Sequence, residues 1–135
     1  MSYRKFVAAL LLIIFILTAI ITTGCGNVKA YGNAKLQNLL ESIDSENYAN
    51  FKKDMHYDLE EKFTEEEFNK LVNTIKDKYG EYEKYSTEFI SSNTENKITT
   101  AYFFAVYSKN EKVKIMIKFS LEIEVYVIVD FKFED

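Results

Sequence analysis

The stretch KITTAYFFAVYSKNEKVKIMIKFS, residues 97–120, alternates apolar and polar side chains on both sides of a short polar break. A period of two is typical of half-buried β-strands, and two such runs joined by a short polar segment predict a β-hairpin. Similar runs lie before and after this stretch, so the sequence predicts four strands, over residues 82–91, 97–108, 112–120 and 123–133. Short connections between consecutive strands favour an antiparallel meander.

The turns fix which residues share a face of this sheet. A two-residue turn at 109–110 places Phe104 opposite Ile115, and a three-residue turn at 120–122 starts the last strand at Ile123. This register predicts one face that meets the helices, formed by Tyr102, Phe104, Val106, Val113, Ile115, Ile117, Val125, Val127 and Val129. The other face is expected to be half exposed and to carry Phe103, Met116, Tyr126 and Ile128 among charged residues.

The first half of the chain has helical periodicity. Apolar residues recur three and four positions apart at Leu36, Leu39, Leu40 and Ile43, and again at Phe68, Leu71, Val72, Ile75 and Tyr79. In the second run Thr64 is a natural N-cap, Glu67 completes a capping box, and Gly80 suits the helix stop. Helices followed by an antiparallel meander predict an α+β fold, with N-terminal helices packed on one face of a four-stranded antiparallel sheet.

The chain begins with MSYRK and then an apolar run without charge. A basic start, an apolar segment and a small-residue exit are typical of a secretory signal peptide. As a helix, residues 6–21 would extend about 24 Å, short of the roughly 30 Å of a bilayer core. Cleavage is therefore the favoured interpretation, and retention as an uncleaved membrane anchor is the alternative.

Cys25 is the only cysteine and directly follows this segment. Residues 22–25, Thr-Thr-Gly-Cys, resemble the lipobox of prokaryotic lipoproteins, in which the cysteine receives a diacylglyceryl group; the resemblance departs at Thr22, where the family prefers leucine. A lone thiol on an exported protein would have no disulfide partner, and lipidation of Cys25 explains it better. The expected organisation is a signal peptide over 1–24, a polar tether over 25–33 and one domain over 34–135.

The chain carries a formal charge of −4, which becomes −6 when Arg4 and Lys5 leave with the signal. An acidic domain without a basic stripe argues against nucleic acid as a partner, because phosphate contacts dominate that affinity. We expect the chain at the extracytoplasmic face of the cell membrane. We expect it to be held to the membrane by the lipid on Cys25.

Two stretches resemble a known family. LLESIDSENYANF (39–51) and FTEEEFNKLVNTIKDKYGEYEKY (63–85) are similar to the opening and the central signature of the domain of unknown function numbered 3887, a family of prokaryotic secreted proteins and lipoproteins. The resemblance covers roughly residues 36–133. It implies a cystatin-like cone of the nuclear transport factor 2 superfamily, and it implies no activity, because the family's own activity is unassigned.

The sequence predicts no catalytic residue, cofactor or metal site. General acid–base catalysis needs a titratable group at the reacting proton, and the predicted inward strand positions are apolar or aromatic. His56, the single histidine, lies among Asp54, Asp58 and Glu60. One imidazole with carboxylates is a fragment of a metal site; the alternative, which we favour, is a solvated loop between helices.

The aromatic residues raise a binding hypothesis. The chain holds ten tyrosines and eleven phenylalanines, which either fill a core without tryptophan or line the mouth of the cone for a small apolar or peptide ligand. The candidate ligand residues are Tyr82, Tyr85, Tyr102 and Phe104, and the open sheet face is a candidate homodimer surface. The favoured function is an extracytoplasmic binding or interaction module; the alternatives are an enzyme with an atypical site and an accessory envelope lipoprotein without a ligand.

Overall fold

The computed structural model describes residues 23–134, with side chains from Asn27 on. Its helices are α1 (Thr23–Asp44), α2 (Tyr48–Lys52), α3 (Tyr57–Lys62) and α4 (Glu65–Tyr79). Its strands are β1 (Glu88–Glu95), β2 (Ile98–Tyr107), β3 (Asn110–Glu122) and β4 (Val125–Glu134). The strands form one antiparallel sheet in the order β1-β2-β3-β4. The predicted α+β fold is confirmed, while the signal peptide predicted over 1–24 falls almost entirely outside the described residues.

Helix α4 forms where its local sequence predicts it. The Thr64 hydroxyl accepts a hydrogen bond from the Glu67 backbone N–H at 3.2 Å, which satisfies one of the free amides of the first turn. The helix ends at Gly80, whose φ of +84° suits glycine. A side chain at that position would also collide with Ser108. Its buried stripe is Phe68, Val72, Ile75 and Tyr79.

The predicted tether over 25–33 is wrong for residues 27–33, which belong to α1. Val28 and Tyr31 pack against the core, and Gly32 lies so close to the sheet that an added Cβ would be 3.2 Å from the Phe103 ring. Glycine normally weakens a helix interior by about 1 kcal/mol. Here Gly32 lets the helix backbone approach the strands, and it continues the apolar stripe between Val28 and Leu36 rather than interrupting it.

The sheet buries the opposite face of β2 from the one predicted. The buried residues of β2 alternate from Thr99 through Phe103 to Tyr107, so Tyr102, Phe104 and Val106 lie on the outer face. On β3 the prediction is correct, because Val113, Ile115 and Ile117 are all buried. The proposed open face is wrong for Phe103 and Ile128, which are core residues, and for Tyr126, which packs against the core; Met116 lies on the outer face.

The hairpin between β2 and β3 explains this error. Its two-residue turn is Ser108-Lys109 rather than 109–110, and a bulge on the β3 side follows, between the pairs Tyr107–Asn110 and Ala105–Val113. The bulge places Phe103 rather than Phe104 opposite Ile115. Because side chains alternate along a strand, a shift of one residue reverses the faces of the whole strand.

The hairpin between β3 and β4 also differs from the prediction. Its loop is the pair Ile123-Glu124, with φ of 42° and 66°, and Glu122 pairs with Val125. Two left-handed residues match a type I′ turn, which favours Asn-Gly. A β-branched residue at a positive φ costs about 1–3 kcal/mol. Isoleucine at the apex is therefore unfavourable for the turn itself.

A second bulge, at Val129, brings both halves of β4 onto the core. Phe119 pairs with Ile128, whereas Lys118 pairs with Asp130, so one extra residue lies on β4. Tyr126 and Ile128 contact the core before the bulge, and Phe131 and Phe133 contact it afterwards. The predicted registers did not include this irregularity, and the predicted inward positions Val125, Val127 and Val129 are wrong.

Within residues 23–134, no helix combines the length and the apolar character that crossing a bilayer requires.

Candidate functional site

The four aromatic residues proposed as ligand contacts do not converge. Tyr82 is buried, and its backbone N–H donates to the Asp44 carboxylate at 3.0 Å. Tyr85 is 76 % exposed at a φ of 61°. Tyr102 and Phe104 lie on the outer sheet face, where the ammonium of Lys114 is 4.7 Å from the Tyr102 ring. These positions do not form one pocket, and a ligand role for any of them stays a prediction.

A tyrosine cluster fills the inner end of the sheet near the turn between β2 and β3. The ring of Tyr107 lies 5.6 Å from that of Tyr82 and 5.8 Å from that of Tyr79. The hydroxyls of Tyr82 and Tyr107 are buried, and that of Tyr107 has no hydrogen-bond partner among the described residues. Burial raises the pKa of both groups above the ordinary tyrosine value, strongly so for Tyr107. Both hydroxyls therefore stay protonated near neutral pH and do not supply a base.

Acid–base groups are sparse on the inner face. The buried strand positions of the described residues are apolar or aromatic apart from Thr99. Among those residues, no group of three or more histidine, cysteine, aspartate or glutamate side chains is placed to hold a metal ion. The inner face accordingly offers packing rather than proton transfer.

His56 is a structural cap rather than part of a solvated loop, which corrects the prediction. It is the N-cap of α3, and its Nδ1 accepts from the Asp58 backbone N–H at 3.2 Å. Its Nε2 donates to the Glu122 carboxylate at 2.9 Å. Its backbone N–H donates to the Ile128 carbonyl at 2.8 Å. One residue thus ties α3 to the edge of β4 and to the end of β3.

The clearest candidate site is a groove beside β4, which sequence reasoning missed. Two adjoining clefts of about 630 and 300 Å³ share Phe63 as a wall and follow the strand from Val129 to Phe133. We call them together the β4 groove. Its apolar wall consists of Phe63, Leu71, Ile75, Phe131 and Phe133. The Phe63 and Phe131 rings stack 5.5 Å apart.

Charged residues surround the β4 groove unevenly. Four lysines line it, Lys62, Lys78, Lys118 and Lys132, against two acidic residues, Glu67 and Asp130. Lys118 and Asp130 lie 3.8 Å apart, so these two charges partly offset one another. With that pair set aside, Lys62 and Lys132 stand against Glu67, so the groove carries a small positive excess on a chain whose overall charge is −4. This excess favours ligands that carry negative charge.

β4 is an edge strand, and one segment of the chain already pairs with it. Met55 and Ile128 form a parallel bridge, in which the Ile128 N–H donates to the Asp54 carbonyl at 2.8 Å and the Ile128 carbonyl accepts from His56. No other strand of the described residues pairs with the outer edge of β4. An edge strand presents backbone donors and acceptors that can template another extended chain.

Sequence reasoning missed the groove because its walls come from Phe63 and α4, whose packing along β4 no local pattern fixes. The predicted register places Phe131 and Phe133 on the helix-facing side with Val129, and the structure has both rings there. The register could not supply the position of Phe63 and α4 beside the edge of β4. The run of aromatic residues at alternate positions, Phe131 and Phe133, was the available sign.

No protein-family profile matches the sequence, and no curated protein matches it. The resemblance to the domain of unknown function numbered 3887, with its cystatin-like superfamily, therefore stays a prediction.

The capping role of His56 gives a stability test. Replacing it with alanine removes the cap and the bond to Glu122, and we expect the free energy of unfolding to fall by about 1–2 kcal/mol. His56→Asn keeps a good N-cap acceptor and should recover about half of that loss. Urea unfolding of the two variants measures the difference. Equal stabilities for both variants and the parent chain would show that His56 does not stabilise α3.

Proposed function

We propose that this chain is a lipoprotein, anchored through Cys25 at the extracytoplasmic face of the membrane, that binds an extended peptide segment with acidic and apolar side chains in the β4 groove. The observation that carries the binding part is the basic, aromatic groove beside an edge strand that already accepts one parallel segment.

Helix α1 supports the anchoring part. It begins at Thr23 and continues to Asp44, so the cysteine of the lipobox-like sequence stands in the same helix as the core residues Leu36 and Leu40. Two acyl chains on a cysteine give a stable anchor, at about 0.8 kcal/mol per buried methylene. The helix would transmit that anchor to the domain without a flexible spacer.

The shape and chemistry of the β4 groove support the peptide class. A peptide added to the strand edge gains main-chain hydrogen bonds, and its alternate side chains enter the neighbouring wall. On this chain the wall is aromatic, so it accepts apolar side chains at every second position. Lys62 and Lys132 at the rim can pair with carboxylates of the peptide, at the peptide positions between its apolar side chains. An alternating apolar and acidic segment satisfies both requirements.

Mass spectrometry of the membrane fraction tests the anchor. We expect a mature chain that begins at Cys25 and carries the mass of a diacylglyceryl group, because the cysteine thiol is the only acceptor of that type in the chain. Cys25→Ser should release the chain into the medium or leave it as precursor, whereas Thr22→Leu, a change toward the preferred lipobox, should leave processing intact. A parent chain retaining Met1, or membrane retention unchanged by Cys25→Ser, would contradict the anchor.

A charge placed in the groove tests the ligand. We suggest titrating the chain with a fluorescent peptide of sequence EVEVEVE and comparing Thr74→Glu with Asn73→Glu. Thr74 lines the groove, whereas Asn73, its neighbour on α4, does not. The added carboxylate at residue 74 should weaken binding about tenfold or more through like-charge repulsion, and raised salt should weaken binding to the parent.

The matched control, Asn73→Glu, changes net charge equally and should bind the peptide like the parent chain. An equal loss of peptide affinity in both variants would show that overall charge, and not the position of the charge in the groove, weakens binding. No saturable binding to the parent would contradict the peptide proposal.

A further inference from the structure

The loop end of the β3–β4 hairpin exposes apolar side chains that the fold does not use. Leu121 is 53 % exposed, Ile123 98 % and Val125 55 %; we call these three residues the hairpin tip. The pairs Leu121–Tyr126 and Glu122–Val125 place Leu121 and Val125 on opposite faces of the hairpin. Exposed apolar side chains therefore lie on both sides of the apex, and such a grouping at one loop end marks a candidate interaction site. Ile123 also occupies a left-handed turn position that asparagine or glycine fills at lower cost.

The N-terminal part of α1 reaches this same end of the sheet. The Tyr31 ring stacks on Tyr126 at 3.9 Å and meets Phe119 edge-on at 5.2 Å. Tyr126 pairs with Leu121 at the start of the hairpin tip. The C-terminal end of α1 lies at the other end, where Asp44 accepts from the Tyr82 N–H. The helix thus runs along the sheet with its first residues toward the hairpin tip.

The first residues of α1 and the apex of the hairpin lie at similar distances from the contact between Tyr31 and Phe119. Thr23 lies eight residues before Tyr31, about 12 Å along a helix. Ile123 lies four residues beyond Phe119, about 13 Å along a strand. The start of α1 and the apex of the hairpin therefore extend from the Tyr31–Phe119 contact by similar lengths.

The apolar run of residues 6–21 precedes α1, and Cys25 is the third residue of that helix. Whether it is retained or replaced by a lipid on Cys25, the group that leads into α1 is one that partitions into a bilayer. We propose that the hairpin tip is a second membrane contact, in which Leu121, Ile123 and Val125 enter the lipid surface beside the anchor. This inference rests on the anchoring part of the proposed function and is independent of the β4 groove.

The charges near the hairpin tip specify the lipid. Glu122 is held by His56 and Glu124 is exposed at the apex. Glu95 and Lys97 are exposed at the β1–β2 turn, and Lys29 is exposed in the first part of α1. The three carboxylates of Glu95, Glu122 and Glu124 outnumber the two ammonium groups of Lys29 and Lys97, so this end gives no net attraction to anionic headgroups. We therefore expect the hairpin tip to enter a zwitterionic lipid surface through apolar contact alone. Leu121 and Tyr126 also line a cleft of about 410 Å³ next to the hairpin tip.

A tryptophan probe tests this directly, because the chain contains no tryptophan. The lipidated full chain is reconstituted into phosphatidylcholine vesicles as Ile123→Trp, with Glu111→Trp, at the opposite end of the sheet, as the matched control. We expect the emission of Ile123→Trp to move to shorter wavelength and to be quenched by brominated phosphatidylcholine. Glu111→Trp should show the emission of a water-exposed indole and no quenching. Val125→Trp repeats the test at a strand position without the positive φ.

Three results would overturn the inference. Unshifted, unquenched emission from Ile123→Trp and Val125→Trp in chains that float with the vesicles refutes the docking and leaves the anchor standing. A shift that needs no vesicles and grows with protein concentration assigns the hairpin tip to a second copy of the chain. Chains that do not float with the vesicles contradict the anchor as well as the docking, and flotation therefore separates the two failures.

Discussion

The packing of α1 onto the inner face of the sheet is the contact on which the rest of this structure depends. Gly32 lets the helix approach Phe103 and Phe119 at van der Waals distance, and Leu36, Leu39, Leu40 and Ile43 continue the same stripe, each at most 1 % exposed. The helix carries the polar network that holds α2: Asn38 accepts from the Asn50 amide at 2.9 Å, and Lys35 pairs with Asp54 at 2.9 Å. The Asp54 carbonyl accepts a hydrogen bond from the Ile128 N–H, which is part of the bridge between Met55 and Ile128. The position of α3, and with it one side of the β4 groove, follows from this chain of contacts.

The same helix gives the molecule two distinct ends. At one end lie the start of α1 and the hairpin tip, and at the other lie the tyrosine cluster and the turn between β2 and β3. The β4 groove runs along the side, between the edge strand and α4. A domain held at the membrane by its α1 end would leave this side groove open to extended partners, as an interaction module requires.

The sequence predicted features that depend on neighbouring residues and failed where distant geometry decides. Thr64 and Gly80 were identified as the ends of α4 because a cap acts within four residues. The faces of β2 were predicted wrongly because they depend on one bulge in β3 between Asn110 and Val113, and no residue type in that segment indicates a bulge. Gly32 indicated a linker when considered alone, although Val28, Gly32, Leu36 and Ile43 follow one helical stripe. The β4 groove depends on how Phe63 and α4 pack beside β4, which no local pattern predicted.

Amide hydrogen exchange of the full chain over residues 28–33 tests most directly whether α1 is one helix from the anchor into the core. If the helix is continuous, these amides are hydrogen-bonded and should exchange at least about tenfold more slowly than an unstructured segment. Their protection should then rise steadily toward that of Leu36 to Ile43. Exchange at the unstructured rate up to Asn33, followed by an abrupt onset of protection, would contradict the account, because the domain would then hang from a flexible tether and its orientation at the membrane would be undefined.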